Sequence, residues 1–300
     1  MNNQYLLSIS KGADAVTNIV ALKKYGQDES VKIKESSRAV CASYNLLKVV
    51  NYLDSNIDDF HRAAIALAEN QISQNNLVST QVFDMATDFE RILLNISASF
   101  YTLINQQSKA ISADFGRESI EHKRWLEFKD KLRENFECYD TLWQIRSYIE
   151  HESMPDIKHS VQIKIGSQVD ISVDVEKILS NNHLSGRKKR RHSRSSSGSY
   201  ISAIAIFNEA LEISNLIAGF IAVTRSNTFE TQANTLIDLR KEFSLEPSDS
   251  VALVDESELP SPAAGKLNLN LFNLPLPWAQ RLVELTAAGR ANDWIGGANS

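Results

Sequence analysis

The chain is poor in the residues that interrupt regular structure, with 11 glycines and 6 prolines in 300 positions. That scarcity argues against a loop-rich sandwich and for long regular elements. Cysteine is scarcer still. Cys41 and Cys138 lie far apart with no metal-type spacing, which excludes a disulfide scaffold and predicts two buried thiols in a reducing compartment. The opening Met1-Asn2-Asn3-Gln4 has no basic segment before an apolar run, so no signal peptide is expected. A Gly-rich phosphate loop, a His-Glu-x-x-His helix and a Gly-x-Ser-x-Gly elbow are all missing. One stretch, Tyr200 to Val223, has spanning length, but it carries Asn208, Glu209, Glu212 and Asn215, which are expensive in lipid. A buried bundle helix explains it better, and the expectation is a soluble cytoplasmic protein with no membrane partner.

What the chain does have is apolar content, at 43%, enough for one large core or two modest ones. Its charge is unevenly placed. Six of the 32 Lys/Arg residues fall between Arg187 and Arg194; taking them away leaves 26 basic residues against 37 acidic ones, a net of −11. Basic charge concentrated on an otherwise acidic chain should attract a polyanion. Arg187, Lys188, Lys189, Arg190, Arg191 and Arg194 are therefore candidate RNA-binding residues; a localisation tag or a solvated insertion are the other readings.

Periodicity divides the chain. Residues 1–35 form a mixed N-terminal segment with a short helix expected from Ala13 to Tyr25. Leu46, Val50, Leu53, Ile57, Phe60, Ala64 and Leu67 alternate steps of four and three, as do Val82, Ala86, Phe89, Leu93, Ile96, Phe100 and Leu103. Both sets predict amphipathic helices wide enough to pack a bundle. A third helix is expected from about Glu118 to Glu152, after the break at Gly116 and ending before Pro155. Val161–Ile165 and Val169–Val173 alternate with period two around Gly166-Ser167, a β-hairpin over 161–173. A short helix over Asp174 to Leu179, a mobile basic loop over 181–199, and helices over Tyr200 to Arg225 and Thr228 to Phe243 complete a bundle spanning 36–245. Residues 246–300 read as a flexible tail; the alternative is an extended interaction segment around Trp278 that docks a partner.

One charge stands out. On a continuous helix, Leu132, Tyr139, Leu142, Trp143 and Ile149 project within roughly 60° of Arg146. A guanidinium does not give up its proton, so an apolar surrounding demands an anion. The anion is a carboxylate of the chain, such as Asp88 or Glu90, a partner chain or a phosphate. Arg146-Ser147-Tyr148-Ile149-Glu150-His151 also brings an imidazole near the helix end. Arginine holds phosphate bidentately and histidine trades protons near neutrality, which suits RNA cleavage by an internal 2′-hydroxyl without metal or other cofactor. The spacing alone is weak, because Arg117…His122 and Arg187…His192 share it. Only Arg146 sits in a dense apolar arc. Glu150 is placed to tune or orient His151. Trp143 and Tyr148 are candidates for base stacking, with core for Trp143 and surface or dimer contact for Tyr148 as the plainer readings.

An apolar helix ending in Arg-x4-His, followed by a further long bundle helix, resembles the HEPN superfamily over residues 80–225. The resemblance implies an all-α, HEPN-like helical bundle with one small β-hairpin insertion. It also implies a metal-independent endoribonuclease in a toxin or antiphage role. Members act as homodimers in which two Arg-x4-His motifs meet across a two-fold axis. Arg146 would then bind phosphate and His151 would transfer protons, and an inhibitor or partner protein is a further expectation. Ser147 stands where the family often has Asn, Asp or His; it keeps a hydrogen-bonding hydroxyl in a supporting position. Ser153 stands where one subgroup carries a modifiable tyrosine, so that form of regulation is not expected. The rival is a non-catalytic helical interaction or nucleic-acid-binding protein with Arg146 in a structural ion pair.

Overall fold

The computed structural model describes residues 3–11, 17–73, 79–151, 157–162, 168–174, 200–245, 249–259, 269–292 and 295. The chain is mostly helical and divides into two compact units. One is continuous, Leu47–Ile217; the other combines Met1–Leu46 with Ala218–Ser300. The basic cluster from Arg187 to Arg194, residues 175–179 of the helix expected over Asp174 to Leu179, Ser153 and Pro155 all lie outside the described residues; Asp174 itself is in a strand.

In the continuous unit most of each periodic row is buried on a helix; Leu46, which falls in the other unit, is half-buried, and the side chains of Val82 and Ala86 lie outside what is described. Helix α1 (Gln27–Ser73) enters it at Leu47 and buries Val50, Leu53, Ile57, Phe60, Ala64 and Leu67. Helix α2 (Ser79–Phe115) buries Phe89, Leu93, Ile96, Phe100 and Leu103. Phe60 makes edge-to-face contacts with Phe89 and with Phe207 of α5 (Ala203–Thr224), at centroid distances of 5.7 and 4.6 Å. Gly116 ends α2 at φ +88°, a conformation glycine adopts at no steric cost. Ser119 then caps the next helix by accepting from the His122 N–H at 3.1 Å.

The single helix expected over 118–152 is two. Helix α3 (Ile120–Asn135) stops at Phe136, whose backbone is extended (φ −115°, ψ 120°), and α4 (Glu137–His151) begins directly after it. The side chain of Glu209, on α5, accepts the Cys138 N–H at 2.8 Å, so a carboxylate serves the exposed donors and positive end of α4. Two antiparallel strands, β3 (Ile157–Gln162) and β4 (Gln168–Asp174), pair with Val161 opposite Val169; the first lies earlier than the expected Val161–Ile165, and residues 163–167, with the expected Gly166-Ser167 turn, lie outside the described residues. A third strand, β5 (Tyr200–Ser202), extends the pair where the start of a helix was expected.

The other unit departs furthest from expectation. Residues 4–11 and 17–25 form strands, β1 (Gln4–Lys11) and β2 (Thr17–Tyr25), where a mixed segment with a helix from Ala13 to Tyr25 was expected; residues 12–16 lie outside the described residues. The two strands lie in an antiparallel sheet ordered β2-β1-β6-β7 with β6 (Ser250–Asp255) and β7 (Phe272–Asn273). Period two fails as a signal for physical reasons. Leu6 and Leu7 are both buried, as are Val251 to Val254, because inner strands covered on both faces need no polar side. In β2 an extra residue, Leu22, breaks the register between Leu6↔Lys23 and Leu7↔Ala21. The segment expected as a flexible tail supplies β6, β7 and α7 (Leu276–Ala291), which packs on α6 (Ser226–Glu242) and buries Leu276, Ala279, Leu282 and Leu285. Trp278 is a packed residue here: its Nε1 donates to Ser43 Oγ at 3.1 Å, and its ring meets Tyr44 edge-on at 4.9 Å.

Among the described residues one helix, α5, is long and apolar enough to cross a membrane by length and composition. It buries Ile206, Phe207, Ala210, Ile213, Ile217, Phe220 and Ile221 inside the fold. Of the two thiols, Cys138 is buried and Cys41 is exposed, so the expectation of two buried thiols holds for one. Burial and the neighbouring Glu209 push the Cys138 thiol upward, which keeps it protonated and inert.

Candidate functional site

The candidate site lies on α4 and on the part of α2 beside it. The buried face of α4 is formed by Cys138, Thr141, Leu142, Ile145 and Tyr148. Arg146 is about 100° around the helix from Ile145, so it sits on the rim of that face rather than at its middle. Leu132 belongs to α3 and does not share the register of α4, whereas Tyr139 and Leu142 do and are buried. The Arg146 side chain keeps 23% of its surface exposed.

Three neighbours define its surroundings. Its Cζ lies 3.4 Å from the ring centroid of Tyr101 on α2. The Tyr101 ring also meets Trp143, one turn before Arg146, at 4.3 Å between centroids. One turn after, Glu150 Oε1 accepts from Arg146 Nη2 at 2.5 Å. The anion demanded by the guanidinium is therefore Glu150, not Asp88 or Glu90; Asp88 pairs instead with Arg91 at 3.6 Å. Glu150, expected to act on His151, acts on Arg146. Its own side chain is 45% exposed, so the pair is a surface ion pair of about 0–1 kcal/mol. The stack on Tyr101 adds roughly 0.5–1 kcal/mol. Arg146 and Asn105 beside it hold the Tyr101 phenol below its ordinary range.

His151 is exposed and is the last residue of α4. Five residues turn a helix through about 500°, which leaves His151 roughly 140° from Arg146. Within one chain the two side chains leave opposite flanks of α4. Ser147 is half-buried on the flank between them. Tyr148, read from sequence as surface, is buried and belongs to the core; Trp143, read as core, is half-buried at the rim. Arg117 of the rival motif is exposed, in keeping with a solvated helix start.

No known protein family, no curated protein and no solved structure matches the chain.

Sequence reasoning missed Tyr101. It lies 45 positions from Arg146 and directly follows a core phenylalanine, and nothing in its local pattern marks it. It is found only once α2 and α4 are packed together. Among the described residues no group of three or more His, Cys, Asp or Glu side chains is arranged to hold a metal ion.

Proposed function

We propose that the chain is a HEPN-like, metal-independent endoribonuclease that acts as a homodimer, in a toxin or antiphage role within the cytoplasm. The observation that carries this reading is the partly exposed Arg146, braced on Tyr101 and paired with Glu150 at the surface, on the helix that ends in an exposed His151. An RNA phosphate offers a guanidinium two parallel charge-assisted hydrogen bonds and competes well against one exposed carboxylate. In the reaction a 2′-hydroxyl oxygen attacks the adjacent phosphorus as its proton leaves to the imidazole. The bond to the 5′-oxygen breaks, and that oxygen takes up a proton. Arg146 neutralises the charge gathering on the phosphate oxygens. The 140° between Arg146 and His151 around an ideal helix supports a site shared by two copies, each contributing its own pair. The basic cluster from Arg187 to Arg194 adds attraction for the RNA backbone.

A second reading rests on the Arg146–Glu150 pair: a non-catalytic, nucleic-acid-binding or interaction protein in which Arg146 is neutralised by its own helix. Incubating RNA in excess chelator with wild type, Arg146→Ala and His151→Ala separates the two. The nuclease predicts cleavage by wild type and a loss of at least about a hundredfold in each variant. Equal cutting by all three, or none by wild type, leaves the second reading.

A further inference from the structure

We propose that Tyr101 is a positioning residue, the platform that presents the Arg146 guanidinium to the phosphate of single-stranded RNA. The proposal rests on the RNA-binding reading of Arg146 given above. It begins from a distance. With Cζ only 3.4 Å from the ring centroid, the guanidinium must lie nearly parallel to the ring, because any large tilt drives a nitrogen inside contact distance. A parallel guanidinium directs its N–H groups sideways, in its own plane, rather than into the protein. One of them reaches Glu150 Oε1.

The ring itself is braced. Trp143 leans on it at 4.3 Å and 50°, and α2 holds the backbone of Tyr101 between the buried Phe100 and Leu103. An arginine on a surface helix ordinarily samples many rotamers and loses that freedom on gripping an anion. Here a π face has already selected the geometry, so the order is present before the ligand arrives. The Arg146 side chain keeps 23% of its surface exposed, and the Glu150 side chain on its edge keeps 45%. Glu150 occupies that edge until a phosphate replaces it, which makes the acid a gate on the same platform.

The proposal predicts a specific coupling. Binding of a short single-stranded 2′-O-methyl RNA, which cannot be cleaved, is measured by fluorescence anisotropy. The full chain is used as wild type and as Tyr101→Phe, Tyr101→Leu, Arg146→Ala and the Tyr101→Leu/Arg146→Ala double variant. Circular dichroism monitors folding of each. Tyr101→Phe keeps the ring face and should bind within about twofold of wild type. Tyr101→Leu should weaken binding by about fivefold to tenfold, and should add nothing once Arg146 is gone. If Tyr101→Leu binds as wild type while Arg146→Ala is weak, the positioning role is overturned and the RNA reading stands. If the two losses multiply in the double variant, Tyr101 acts without Arg146 and the proposal fails. If Arg146→Ala binds as wild type, the RNA reading fails and takes this inference with it.

Discussion

Gly219 and Gly289 sit where α5 and α7 touch through backbone, and replacing either with alanine tests how rigid that crossing is. A Cβ at Gly289 would lie 2.6 Å from the Gly219 carbonyl oxygen and 2.7 Å from Val223 Cγ2. Valine at a helical position has one strongly preferred rotamer, and the carbonyl is fixed by the helix, so neither neighbour can yield cheaply. The helices must separate by several tenths of an ångström. Overpacking of this kind costs about 3 kcal/mol, while replacing glycine by alanine inside a helix returns about 1 kcal/mol. Gly289→Ala should therefore destabilise by roughly 2 kcal/mol. The reciprocal change is milder, since a Cβ at Gly219 meets Gly289 Cα at 3.2 Å and Ile295 Cδ1 at 3.4 Å. There the propensity gain offsets the contact, and Gly219→Ala should remain within about 0.5 kcal/mol of wild type. Urea titration followed by helical circular dichroism measures both. Equal midpoints for the two alanine variants would refute the claim that backbone contact, rather than side-chain filling, sets the crossing.

Two further outcomes follow from the helical unit. Tyr139 is buried, and burial pushes its phenol up to about 12 against an ordinary 10.0. Its folded-state pKa is raised, so the stability it protects is complete below pH 10 and is lost as pH climbs toward 12, by about 2–3 kcal/mol. Tyr139→Phe should flatten that alkaline limb in a denaturant series at pH 9 to 12; an unchanged limb would count against it. Glu150→Gln removes the carboxylate that competes with phosphate. It should tighten RNA binding several-fold while shifting stability by no more than about 0.5 kcal/mol, because an exposed i,i+4 pair with arginine first is weak. Unaltered or weaker RNA affinity would show that Glu150 does not guard Arg146.

Some of this was legible in one dimension. The row from Val50 to Leu67 and the row from Phe89 to Leu103 are visible because each helix has one buried face and a solvated back. The strands were hidden by the opposite circumstance. Leu6, Leu7 and Val251 to Val254 are covered on both sides, and a bulge at Leu22 removes what alternation β2 had. At the site, Arg146 and His151 are found by type and spacing, but the Glu150 pair and the Tyr101 ring are not, and carrying one helical register through Phe136 places Leu132 on a face it does not share. Phe136 is a core residue with no glycine or proline beside it, so the break comes from tertiary packing and the cap that Glu209 supplies. Tyr101, whose ring Arg146 stacks on, has no sequence signature at all.

The pairing of β1 with β6 joins residues about 250 positions apart, Gln4 with Asp255 among them. During synthesis the first strands therefore leave the ribosome long before their partner exists. At roughly 5–20 residues per second the wait is on the order of ten seconds or more. The intervening stretch is continuous and can complete its own core meanwhile. Until the late strand arrives, Leu6 and Leu7 are exposed on an unfinished sheet, and chaperone dependence should concentrate on that early hairpin.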